Sequence, residues 1–187
     1  VDARLHQLQG KAEYVTSSPN TTSREAALPV LLEFYREKLG EMLEHQEHAQ
    51  SVGQYDANNT YQYIINREDV QLSWLAAAIA DAGGTLPDEP APPVSDLSKA
   101  GKGADLARAI FDADRRDAQA FLDRWRPRVE TMTNARHRGM LRVILGETRE
   151  QQRFFEQALE GRTDLLGRRA GVDGQAFGKV LPARWIE

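Results

Sequence analysis

Apolar residues recur at three- and four-residue intervals in four long stretches of the chain, the spacing of one face of an α-helix. In the first stretch, from about Ser23 to Ser51, Leu28, Leu31, Leu32, Tyr35, Leu39, Met42 and Ala49 form the stripe, and Gln46 falls within it. In the second, Asn58 to Gly83, the stripe is Tyr61, Ile64, Leu72, Leu75 and Ile79. Glu68 sits in the middle of that stripe and Gln71 at its edge. The third stretch, Ala104 to Met132, aligns Ala107, Ile110, Phe121 and Trp125, with Asp114 near the centre and Asp117 at one edge. The fourth, Asn134 to Gly161, turns Met140, Ile144, Phe155 and Ala158 inward together with Glu147, Thr148 and Gln151, and His137 lies two turns below Ile144. The pattern predicts an all-α chain.

The breaks between stretches set the layout. Residues 1–22 read as a short peripheral helix with Leu5, Leu8, Ala12 and Val15 at helical spacing, followed by a loop. Thr22 and Glu25 have the spacing of a capping box, which places the first long helix at about Ser23. Pro29 is tolerable only in a first turn, which moves the expected start of the regular helix towards Leu28. A short polar turn, Gly53 to Asn59, makes the first two long helices antiparallel neighbours. Gly83-Gly84 stops the second. The next stretch, TLPDEPAPPVSDLSKAGKG, is irregular and proline-rich, and it reads as an extended crossover to the third helix. Pro90-x-x-Pro93 inside it is structural, since acidic rather than basic residues flank it. Pro127 should kink the third helix or end its regular part near Arg126. The bundle therefore spans residues 23–161. In the tail, residues 162–187, Phe177, Val180, Leu181, Trp185 and Ile186 are apolar enough to predict docking on the bundle or on a second subunit.

Each long helix carries inward polar groups near its midpoint: Gln46, Glu68 with Gln71, Asp114 with Asp117, and Glu147 with Gln151. The hairpin, crossover, hairpin layout resembles the ferritin-like superfamily. The stretch REDVQLSWLAAAIADAGG (Arg67 to Gly84) looks like the second helix of such proteins, and ILGETREQQRFFEQAL (Ile144 to Leu159) looks like the fourth. The resemblance implies a ferritin-like four-helix bundle in which those two helices would each bear Glu-x-x-His. Here Gln71 and Glu150 stand where the histidines should be, and the first helix has no carboxylate central in its stripe. Glu68, Asp114, Asp117 and Glu147 remain as candidate oxygen ligands for Mn, Fe, Mg or Ca. The alternative is a metal-free core in which these groups hydrogen-bond one another with Gln46, Gln71 and Gln151. Buried without a metal, Glu68 should have a raised pKa, and Glu68→Gln should be neutral or mildly stabilising.

Composition narrows the rest. The chain of 187 residues has a formal net charge of −4, with arginines interleaved among acids, which argues against a nucleic-acid partner. Without cysteine there is no disulfide, thiolate metal site or thiol nucleophile. No apolar run suffices for a membrane helix. A cytoplasmic setting is expected, and Val1 in place of an initiator Met leaves room for a removed targeting segment. His45 and His48 have metal-ligand spacing, but both fall at or off the edge of the stripe and read as surface residues. No phosphate loop or nucleophile elbow is present. The leading expectation is a non-catalytic ferritin-like protein without the usual di-iron ligands or any cofactor, acting by binding or assembly, as a homodimer through helix faces or the tail. The rivals are a metal-binding enzyme or storage protein, and a plain helical interaction module.

Overall fold

The computed structural model describes residues 19–88 and 101–166, with side chains from Ala27 onward. Among the described residues there are four long helices and no strand: α1 (Pro19–Ser51), α2 (Tyr55–Asp81), α3 (Ala104–Glu130) and α4 (Ala135–Leu159). The expected N-terminal helix and the apolar cluster from Phe177 to Ile186 lie outside the described residues.

Several boundaries differ from expectation. α1 starts at Pro19, so Thr22 and Glu25 lie within the helix rather than at its start. Pro29 is likewise internal. It is exposed, on the side of α1 where water can satisfy the carbonyl that its missing N–H leaves free. Pro127 does not end α3, because it falls in the last turn, where few further hydrogen bonds depend on it. The turn between α1 and α2 is only Val52 to Gln54, and the Asn58 amide donates to the Ala49 carbonyl (2.7 Å) across it. α2 stops as expected. Gly83 takes φ 79°, and the Gly84 N–H donates to the Ile79 carbonyl at 2.9 Å. Asn134 caps α4 by accepting from the His137 N–H at 3.1 Å.

α1 pairs with α2 and α3 with α4, and the hairpins dock so that α1 lies beside α3 and α2 beside α4. Neighbours run antiparallel, as the cross-helix contacts show: Arg128 with Glu33 and His48 with Asp114 between α1 and α3, Arg67 with Glu147 and Tyr63 with Phe154 between α2 and α4. Two apolar clusters fill the bundle. One, at the end where α2 stops, centres on Trp125, with Phe34 at 4.7 Å and Phe121 at 6.1 Å between ring centroids. The Trp125 indole N–H donates to Glu37 (2.7 Å), so this large ring is buried with its polar group satisfied. The other cluster, at the opposite end, gathers Val52, Ile64, Ile110, Phe111 and Phe155, and Leu165 joins it from beyond α4. A polar layer separates the two clusters.

Candidate functional site

α1 shapes this layer. Its buried positions are Ala27, Leu31, Phe34, Lys38, Leu39, His45, His48 and Ala49, with Val52 just past its end; Leu31, Phe34, Lys38, His45 and His48 follow one another at steps of three, four or seven residues along one face. Of the apolar stripe expected from sequence, Leu31, Leu39 and Ala49 are buried, but Leu28, Leu32, Tyr35 and Met42 are only partly so, and the buried face is rotated away from them. His45 and His48 are therefore not surface residues, contrary to expectation. Both are buried, because carboxylates on α2 and α3 meet them there.

Glu68 is the centre of the first group. The Lys38 ammonium donates to Glu68 Oε1 at 2.8 Å and to Glu41 Oε2 at 2.9 Å. His45 Nδ1 lies 3.1 Å and 3.0 Å from the two Glu68 oxygens. Lys38 and Glu68 are both 0% exposed. Burial pushes the Glu68 carboxyl up, but the His45 and Lys38 charges and their hydrogen bonds outweigh it and hold the pKa at about 2. This overturns the expected rise. The same bonds act on the partners. Burial disfavours the charged His45 ring, yet Glu68 and, further off, Asp114 raise it to about 9. Burial likewise opposes the Lys38 charge, and Glu41 and Glu68 reverse that, so its pKa is raised. At neutral pH the group is an ionised Lys–Glu–His cluster in which His45 donates. Glu41 itself is raised by burial, against the pull of Lys38.

Asp114 organises the second group. His48 Nδ1 stands 2.7 Å from Asp114 Oδ1, and the Tyr61 hydroxyl donates to Oδ2, so one carboxylate of α3 ties α1 to α2 across the bundle. Burial, then the neighbouring Asp114 charge, raises the Tyr61 hydroxyl well above its usual value. Glu44 borders this group and is raised, chiefly by burial. Glu147 belongs to a third group: it accepts from Gln71 and Arg67, which closes the layer between α2 and α4.

The residues singled out from sequence thus fall in different surroundings. Glu68, Gln71, Asp114 and Gln151 are buried and Glu147 is half-buried. Asp117 is exposed beside Asp114, and partial desolvation, then the Asp114 charge, raises its pKa. Gln46 lines a shallow outer groove with Asn58 and Gln62. Among the described residues, no three His, Asp or Glu side chains are arranged to hold a metal ion. His48 Nε2, Gln71 Oε1 and Gln151 Nε2 are buried without a hydrogen-bond partner among the described residues.

Lys38, His45 and His48 are what sequence reasoning missed. A signal did exist: Lys38 and His45 are seven residues apart, so they share the face of Leu31 and Val52, and Glu68 needed a cation. Chemically, the layer holds fixed, mutually satisfied charges and two imidazoles bonded through Nδ1 to carboxylates.

In comparisons with known proteins, the chain matches no family model, no curated protein and no solved structure.

Proposed function

We propose that this chain is a ferritin-like bundle whose mid-core carboxylates are neutralised by Lys38 and His45 instead of by metal ions, and that it acts by binding or assembly rather than by turnover. The observation that carries this reading is the Lys38 ammonium, 2.8 Å from Glu68 and without solvent exposure. An ammonium inside the layer repels a second cation, and the Glu68 oxygens already accept from Lys38 and His45. Glu147 is engaged by Arg67 and Gln71, and Glu150, where the resemblance would place a histidine, is exposed. The donor set does not fit a di-iron centre.

The ferritin-like part rests on layout. α2 and α3 both run antiparallel to α1, so the start of α3 and the end of α2 belong to opposite ends of the bundle. A helix of 27 residues is roughly 40 Å long, and the intervening 22 residues (82–103) can reach roughly 70 Å when extended. That is ample for a crossover along the bundle.

Assembly is supported by an exposed apolar band. Tyr63, Val70 and Trp74 lie seven and four residues apart on the side of α2 nearest α4, and Val143 is exposed on α4. A second copy of the chain is the partner this reading assigns to it.

The test has two arms. Protein purified without chelator should carry no stoichiometric Mn or Fe by elemental analysis, and its melting temperature should ignore Mn²⁺, Fe²⁺, Mg²⁺, Ca²⁺ and EDTA. A melting temperature raised by one of these metals and restored by EDTA overturns the metal-free reading. Light scattering should give a dimer that Trp74→Glu dissociates. A wild-type monomer at high protein concentration removes assembly.

A further inference from the structure

Outside the polar layer, the arginines divide into two classes. Most arginines whose side chains are described have a carboxylate or carbonyl partner, as in Arg128 with Glu33, Arg142 with Glu130 and Arg138 with the Met132 carbonyl. Arg126, Arg149 and Arg153, like Arg36 on α1, have none among the described residues, and these three line the same open groove between α3 and α4. The groove encloses about 540 Å³, within the range of small-molecule sites. Its floor is ordered. Gln152 donates to Gln119 at 2.8 Å, and Gln119 donates in turn to Asp123 at 2.7 Å, with Leu122 beneath. Glu156 contributes one negative charge to the lining and Asp123 a second behind Gln119, which leaves three guanidinium groups against two carboxylates.

Their placement follows from the helix pairing. Arg149 and Arg153 are one turn apart on α4, and Arg126 reaches in from antiparallel α3, so the three forks approach from two sides. A carboxylate offers only two oxygens, whereas a diphosphate offers several in tetrahedral sets, each suited to a planar guanidinium fork. An extended polyanion is disfavoured because the chain is net acidic, at −4. We propose that this groove binds a compact, multiply charged phosphate, a diphosphate or the diphosphate group of a small ester. The site is independent of the metal-free core and of the dimer, so it stands or falls separately from them.

Calorimetry of the full chain with inorganic pyrophosphate at low ionic strength tests it. The expected result is saturable binding of one pyrophosphate per chain, weakened by added salt and reduced at least about tenfold by Arg149→Gln/Arg153→Gln. Arg126→Gln, on the opposite helix, should weaken binding in the same sense. These side chains hold no partner among the described residues, so melting curves of the variants should overlay the wild type. If the double variant nevertheless fails to fold, chemical-shift changes in the wild type decide, since they must centre on residues 119–126 and 149–156. No saturable binding, binding unchanged by the substitutions, or shifts centred elsewhere overturns the proposal. Citrate bound as tightly as pyrophosphate overturns the phosphate assignment.

Discussion

The Lys38 ammonium and the Glu68 carboxylate meet at 2.8 Å with no solvent contact on either side chain. Such a pair contributes little net stability relative to apolar residues of the same shape, but removing one partner leaves a buried charge. Lys38→Met should therefore destabilise the fold by about 3 kcal/mol, the lower end of the usual range because His45 still faces Glu68. Lys38→Met combined with Glu68→Leu should recover most of that loss. Urea denaturation of the three proteins measures both, and a double variant less stable than the single one contradicts the account.

Glu68→Gln alone should also destabilise, by about 2–3 kcal/mol, since Lys38 and a protonated His45 lose their shared counter-charge. The sequence alone suggested the opposite sign. Urea denaturation at neutral pH decides between them, and a Glu68→Gln protein as stable as the wild type would mean that Glu68 is not ionised.

Stability should fall as pH rises above neutrality. His45 titrates at about 9 in the folded chain and near its ordinary 6.5 when unfolded, so the folded state binds the extra proton between those values. Its contribution is complete below pH 6.5 and disappears as pH rises through 9, a loss of up to about 3 kcal/mol. Glu68 acts on the acid side. With its pKa held at about 2, its contribution is present above pH 4.5 and is lost as pH falls towards 2. Denaturant midpoints measured from pH 5 to 9.5 should decline on the alkaline side, and His45→Gln should flatten that decline. A flat wild-type profile counts against a charged His45.

Tyr61→Phe should cost about 1–2 kcal/mol, because Asp114 loses a buried donor and keeps only His48. In the wild type, the raised Tyr61 hydroxyl should stay protonated in an ultraviolet pH titration until the protein unfolds. A tyrosine assigned to position 61 by its loss in Tyr61→Phe and titrating near 10 in folded protein would refute the contact.

Gly84→Ala should destabilise by about 1–2 kcal/mol. An added Cβ would collide with Leu28 Cδ1 and stand 3.0 Å from Ile79 Cγ2, so the end of the first apolar cluster would have to shift. Thermal unfolding checks this, and an unchanged melting temperature would show that Leu28 moves aside freely.

Sequence periodicity located the four helices well, because α2, α3 and α4 each carry a dominant apolar face. Glu68 and Asp114 stood out there as polar residues inside otherwise apolar stripes. α1 resisted the same reading. Leu28, Leu32, Tyr35 and Met42 pull its apparent apolar face to one side, while Lys38, His45 and His48 share the buried side with Leu31, Leu39 and Ala49. Periodicity weighs apolar residues only, so a face whose centre is charged reads as an edge. The direction of the Glu68 pKa was hidden for the same reason, since it depends on cations supplied by another helix.

The charged layer between the two apolar clusters also indexes the bundle lengthwise. Apolar stripes alone tolerate sliding, since one leucine packs against the next at little cost. Here a slip of α1 along α2 by one turn, about 5.4 Å, would set Lys38 against Leu72 or Ile64. In the same slip Glu68 would meet Phe34 or Met42. In either direction a cation and an anion would each be stranded on hydrocarbon, a cost of several kcal/mol for each ion. The layer thus works as a detent, and the helices click into one lengthwise setting.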